Sequence, residues 1–180
     1  MRLAQWLARA GVRPNTISGA SMLAAAGAAG AILNGLWWTA AVMVQVRLLC
    51  NLLDGMVAVE GGLASASGEV WNELPDRVSD VMILAAAGYA VSRVELGWAA
   101  GVLALVTAYI RALGGACGLP QDFGGPMAKP QRMAVVTVAC VVQRFYAQAI
   151  GLALFLIVAG SFLTALLRVR RLVRSLEDCG

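Results

Sequence analysis

The 180 residues are 60% apolar and 13% charged, with no histidine and a formal net charge of +4; mean hydropathy is +0.76. An ordinary soluble domain of this length does not carry so much apolar surface, so the composition reads as an integral membrane protein. Zinc sites and disulfide frameworks are excluded too, because Cys50, Cys117, Cys140 and Cys179 are widely spaced, without a Cys-x-x-Cys pair or histidine; they read as small apolar fillers in a reducing compartment.

In chain order, residues 1–13 read as a short amphipathic surface helix with Arg2, Arg9 and Arg13 available for lipid phosphates, an ordinary solvated terminus being the alternative. They lack the order of basic start, apolar run and small-residue site that marks a cleaved leader. Runs apolar enough to span a bilayer lie near 16–36, 37–58, 70–91, 95–113, 131–148 and 149–167. The expected fold is therefore all-α: a polytopic membrane protein of about six transmembrane helices, one membrane domain over 1–180. The first run, SGASMLAAAGAAG, is small enough to let helix backbones approach and reads as a helix interface. Gly114–Pro130 is dense in Gly and Pro and reads as a loop. Gln143, Arg144 and Gln148 interrupt the apolar pattern between the last two runs, which leaves a five-helix alternative with a kinked last element. The end of the chain, 168–180, is a basic cytoplasmic tail drawn to anionic lipid headgroups. Nothing in it points to nucleic acid, since no aromatic residues interleave the charges. The excess of Lys and Arg places both termini and the Gly/Pro loop in the cytoplasm, with Arg93 and Arg144 on outer turns.

The segment from Asn51 to Asp80 holds six of the ten carboxylates. Acid at membrane depth costs roughly 2.5–3.5 kcal/mol per residue on insertion scales, so a cluster must face protein, water or a cation. Asn51 and Asp54 are three apart at the end of the second run. Gly68, Asn72, Asp76 and Asp80 are four apart at the start of the third, so each set occupies one helix face. Gly61, Gly62 and Ala64 to Ser67 give a permissive connection that lets the two faces meet, and facing oxygen donors suit a hard divalent cation. Glu73 with Arg77, and Arg77 with Asp80, have ion-pair spacing. Arg47 is expected to pair across helices with the acids, in a structural role. Arg111, Lys129 and Arg132 converge on the same end and suit a phosphorylated ligand, with plain positive-inside topology as the alternative.

These residues resemble the CDP-alcohol phosphotransferase (CDP-alcohol phosphatidyltransferase) family. Its motif, D-x-x-D-G-x-x-A-R, eight residues, then G-x-x-x-D-x-x-x-D, is matched in spacing by Asn51, Asp54, Gly55, Ala58, Val59, Gly68, Asn72 and Asp76. Pro14, Asn15 and Ser18 match the Pro-Asn-x-x-Ser/Thr element that precedes the family's first helix. The resemblance implies a homodimeric phospholipid-synthesising transferase in the inner membrane. It would move a phosphatidyl group from CDP-diacylglycerol to a small alcohol, phosphorylated or not, with release of CMP, using Mg2+ or Mn2+. It further implies metal ligands at Asn51, Asp54, Asn72 and Asp76, and a general base at Asp76. Asn15, Gly55, Ala58 and Gly68 would lie around the CDP moiety, with Arg111, Lys129 and Arg132 on the acceptor phosphate. Asn51 and Asn72 stand where aspartate is usual and Val59 where arginine is usual. An amide keeps a carbonyl oxygen for a hard cation but loses the charge, which Glu73 is placed to restore. Two rival readings follow: a catalytically silent relative that binds nucleotide or lipid or serves as a partner subunit, and a small ion-coupled transporter. The transporter needs acids on several helices at mid-membrane depth; here they crowd at one end.

Overall fold

Long apolar runs separated by Gly, Asn and Ser become helices joined by tight turns. The computed structural model describes residues 5–7, 11, 14–62 and 68–178, without the side chains of Glu60, Glu69 and Asn72. Among them run six long helices and no strand: α1 (Pro14–Leu33), α2 (Trp37–Glu60), α3 (Gly68–Ala90), α4 (Val94–Ala116), α5 (Lys129–Gln143) and α6 (Ala149–Glu177). The expected surface helix falls largely outside the described residues; Gln5 to Leu7 are helical, and Leu7 packs against Ile17 and Val57. Ala64 to Ser67 of the expected connection also lie outside them.

Helices α1 and α4 stop in the same way. Leu36 N–H donates to Ala31 C=O at 2.8 Å and Gly35 N–H to Ile32 C=O at 3.1 Å; Leu119 to Gly114 and Gly118 to Gly115 repeat the pair, both at 3.0 Å. The residue at the turn must be left-handed, and Gly35 (φ +70) and Gly118 (φ +78) supply that conformation without a Cβ penalty. Gln143 and Arg144, which interrupt the hydropathy pattern, mark a true turn. Gln143 Oε1 accepts Ile150 N–H at 2.9 Å and its Nε2 donates to Ala147 C=O at 2.8 Å, so α5 and α6 are separate helices and the five-helix alternative is set aside.

The helices pack as a closed ring: α1 touches α2 and α3, α3 touches α4, α4 touches α6, α6 touches α5, and α5 returns to α2. The small-residue run of α1 is the interface its composition predicts, with Ala25 and Ala28 fully buried. Helices α3 and α4 cross at Gly88 and Gly97, where a Cβ on Gly88 would lie 2.7 Å from Gly97 Cα. The core between the helices holds Ile32, Val44, Ile83, Leu84, Met133, Leu154 and Ile157. Leu23, Trp38, Phe155 and Phe162 point outward.

Four helices, α1, α2, α4 and α6, are long and apolar enough to cross a membrane by length and composition. Helix α3 falls short of that measure because Glu69, Glu73, Asp76, Arg77 and Asp80 occupy its first half, and α5 because it has 15 residues. The segment read as a basic tail continues α6 as helix to Glu177.

Candidate active site

Helices α2, α4 and α6 end, and α1, α3 and α5 begin, at one end of the ring, and there the polar side chains gather. Helix α2 contributes a stripe at three- and four-residue spacing. Arg47, fully buried, bonds the Asp76 carboxylate, donates to the Asp76 C=O at 3.1 Å and pairs with Asp80 at 2.7 Å. One turn on, Asn51 accepts the Ser21 hydroxyl and donates its amide to Asp76 Oδ1 at 2.5 Å. Asp54, 3% exposed, accepts Ser18 Oγ at 2.8 Å and Gly55 N–H at 2.6 Å.

Helix α3 answers with Glu73, Asp76 and Asp80. The second Asp76 oxygen, Oδ2, takes Lys129 Nζ at 2.5 Å and Arg77 at 3.4 Å. Asp80 receives Arg47 and, at 3.4 Å, Arg132; the Arg77 pairing expected from spacing gives way to these longer-range cations. Glu73 pairs with Arg77 as its spacing predicts, and also with Arg111 at 2.5 Å. It therefore faces cations on α3 and α4.

Beside Asp76 lies a cavity of about 360 Å3, lined by Arg77, Arg111, Lys129, Arg132 and Arg168 against two carboxylates, Glu73 and Asp76. Asn51, Thr107 and Phe123 complete the polar and aromatic wall. Arg132, 2% exposed, donates to Met127 C=O at 3.1 Å and Thr107 Oγ1 at 3.3 Å. Arg168 donates to Thr107 C=O at 2.7 Å and Gly124 C=O at 2.9 Å. The loop that carries Phe123 is seated on α6: Met127 N–H donates to Thr164 Oγ1 at 2.9 Å, and a Cβ on Gly125 would fall 2.3 Å from Thr164 Cγ2. Phe123 in turn lies 4.8 Å from the Arg111 guanidinium, a cation–π contact that holds Arg111 at the cavity rim.

The structure thus brings together Asn51, Asp76, Glu73, Arg111, Lys129 and Arg132 around one cavity. Asp54, Gly55 and Ala58 follow on the last turns of α2, Gly68 opens α3, and Asn15 is exposed in the first turn of α1. Asn72 lies on α3, its side chain outside the described residues. The Asp54 and Asp76 carboxylates, and the Asn51 carbonyl that here accepts Ser21, are oxygen ligands of the kind a hard divalent cation takes. No three Asp, Glu, His or Cys converge among the described residues.

No family model matches the sequence. A curated relative, the phosphatidylinositol phosphate synthase of Mycolicibacterium smegmatis, is 32% identical over 140 residues, 72% of this chain; the chain spans 62% of that relative's length. Solved structures of the phosphatidylinositol phosphate synthase of Mycobacterium tuberculosis share the fold. The complex with manganese and citrate matches with a TM-score of 0.85 and 25% identity, covering 95% of this chain and 87% of that one. The CDP-DAG-bound structure gives the same score and identity over 95% and 92%. The chain belongs to the CDP-alcohol phosphatidyltransferase family.

This CDP-alcohol phosphatidyltransferase relative departs from the family motif in a way its geometry accommodates. A carboxylate at position 51 would sit against Asp76 Oδ1 with like charge; the Asn51 amide offers a donor there. Val59, in place of arginine, is 79% exposed on the last turn of α2, outside the packed core. Sequence reasoning missed Ser21, Thr107, Phe123 and Arg168. Ser21 continues the three-residue spacing from Ser18. Arg168 continues a buried polar stripe through Ser161 and Thr164; that helical spacing was the available signal, hidden by the basic composition around it.

Proposed function

We propose that the chain is an integral membrane transferase that moves the phosphatidyl group of CDP-diacylglycerol to a small phosphorylated alcohol and releases CMP. The observation that carries this reading is Asp76: Oδ1 is pinned by Arg47 and Asn51, while Oδ2 faces the cavity lined by five basic side chains. An acceptor held by its phosphate on Arg111, Lys129 and Arg132 brings its hydroxyl to Oδ2. Asp76 takes the proton as the hydroxyl oxygen bonds to the phosphatidyl phosphorus, the bond from that phosphorus to the CMP oxygen breaks, and CMP leaves. Small residues, Gly55, Ala58 and Gly68, let the nucleotide approach the backbone, with Asn15 beside them.

Asp54 and Asp76, with the amide oxygens of Asn51 and Asn72, would hold Mg2+ or Mn2+, which when bound offsets pyrophosphate charge. The manganese and CDP-DAG complexes of the structural relative support both ligands. The same proposal reads the whole chain as one membrane domain, assembled as a homodimer. It places the active site and both termini in the cytoplasm, and the basic end of α6 against anionic headgroups.

The test is CMP release from CDP-diacylglycerol by purified protein in detergent, with Mg2+ or Mn2+ and a panel of glycerol phosphate, inositol phosphate, inositol, serine and choline. Metal-dependent release with one phosphorylated acceptor is expected. Measurable CDP-diacylglycerol binding with no release from any acceptor would establish the silent relative instead. The observation favouring that second reading is the Asn51 amide, a neutral donor to Asp76 where the family motif has an acid.

A further inference from the structure

We infer that Lys129 is an exchangeable counter-ion of Asp76, a positioning residue that keeps Oδ2 covered until an acceptor phosphate draws the ammonium away. The inference rests on the metal and acceptor sites proposed above.

Both Asp76 oxygens are engaged: Oδ1 by Arg47 and Asn51, Oδ2 by Lys129 at 2.5 Å and Arg77 at 3.4 Å. Before Oδ2 can meet a cation or take a proton, its near partner must leave. Arg47 cannot be that partner, because it is fully buried and also neutralises Asp80; removing it would strand two buried carboxylates. Asn51 is tied to Ser21 and Arg77 to Glu73.

Lys129 differs in each respect. Its side chain is 26% exposed, it opens α5, it lines the cavity, and Asp76 is its hydrogen-bond partner there. A lysine holds by a point charge on a flexible four-carbon stem, so it exchanges partners without breaking a bidentate fork. A phosphomonoester carries a charge of about −1.5 to −2 near neutral pH. Seated beside Arg111 and Arg132, it offers the ammonium a stronger partner than a single carboxylate.

Acceptor and divalent cation then bind with positive coupling, because each gains from the departure of Lys129 from Oδ2, and by linkage the coupling is reciprocal. With the acceptor absent, Asp76 stays covered and is withheld from water, which protects CDP-diacylglycerol from hydrolysis.

The test is Mn2+ binding to the purified full chain in detergent, at fixed free Mn2+, with and without inositol phosphate and with inorganic phosphate as a headgroup-free probe. In the native protein inositol phosphate should tighten Mn2+ binding by roughly fivefold or more. Lys129→Met should bind Mn2+ more tightly than native protein without phosphate, and inositol phosphate should add less than about twofold. Lys129→Arg keeps a cation on Oδ2 and holds it by a fork, so without phosphate it should bind Mn2+ no more tightly than native protein; tighter binding by this variant as well would overturn the inference. Native-like coupling in Lys129→Met, or weaker Mn2+ binding by that variant alone, overturns the inference and leaves the metal site standing. Absence of Mn2+ binding in every protein overturns the metal reading, and this inference with it.

Discussion

At Asn51 a single amide group satisfies two helices: its carbonyl accepts from Ser21 on α1 and its nitrogen donates to Asp76 on α3. An aspartate there would oppose the Asp76 carboxylate directly, and two carboxylates sharing a site do not both ionise without a cation between them. Asn51→Asp should therefore melt at lower temperature than native protein in metal-free buffer. With Mn2+ it should bind the ion more tightly and regain stability through linkage. Unchanged Mn2+ affinity would remove position 51 from the metal site. Asp76→Asn tests the base with little change in volume: CMP release should fall about 100-fold or more while CDP-diacylglycerol binding persists. Retained turnover would sink the mechanism. Arg47→Met leaves Asp76 and Asp80 short of a buried partner and should cost about 3–5 kcal/mol, read as a loss of melting temperature that Asp80→Asn partly restores.

Helix faces explain which features the sequence made legible. The three- and four-residue spacing of Asn51, Asp54, Asn72 and Asp76 defines two stripes from the sequence alone. Arg111, Lys129 and Arg132 were legible as cations on the same end. Arg168 was not, because a run of arginines beyond an apolar segment resembles a solvated tail, and only the packed loop reveals that α6 keeps Arg168 6% exposed. The partners of Asp80 were hidden for a related reason: spacing shows the local Arg77, whereas Arg47 and Arg132 arrive from other helices. The crossing of α3 and α4 was equally silent, since Gly88 and Gly97 look like any membrane-helix glycines. Their contact makes a sharp prediction. Gly97→Ala would place a Cβ 2.8 Å from Gly88 Cα, and forcing the helices apart should cost about 1–3 kcal/mol. Gly30→Ala meets nothing within 4 Å and should be neutral or gain about 0.5–1 kcal/mol from helix propensity. Equal melting temperatures for the two variants would show that the crossing is looser than the structure has it.

Across the whole molecule, charge and architecture point the same way. The end of the ring that holds the cavity also carries Arg111, Lys129, Arg132, Arg168, Arg170, Arg171 and Arg174, while the opposite turns carry Arg93 and Arg144. Basic residues flanking membrane spans are enriched on the cytoplasmic side, and the nucleotide donor and phosphorylated acceptor of the proposed reaction would need access from that same compartment. The two ends are chemically addressable. Cys117 is exposed in the loop beside the cavity, and Ala147 is exposed in the turn between α5 and α6 at the far end. In a chain whose other cysteines are replaced by alanine, a membrane-impermeant maleimide applied to intact cells should leave Cys117 unlabelled until the membrane is permeabilised. A companion chain in which Cys117 is also replaced and Ala147→Cys is introduced should label at once. The reverse pattern would put the cavity outside, away from the cytoplasmic nucleotide pool. That result would overturn the transferase reading at the level of topology, whatever the chemistry at Asp76.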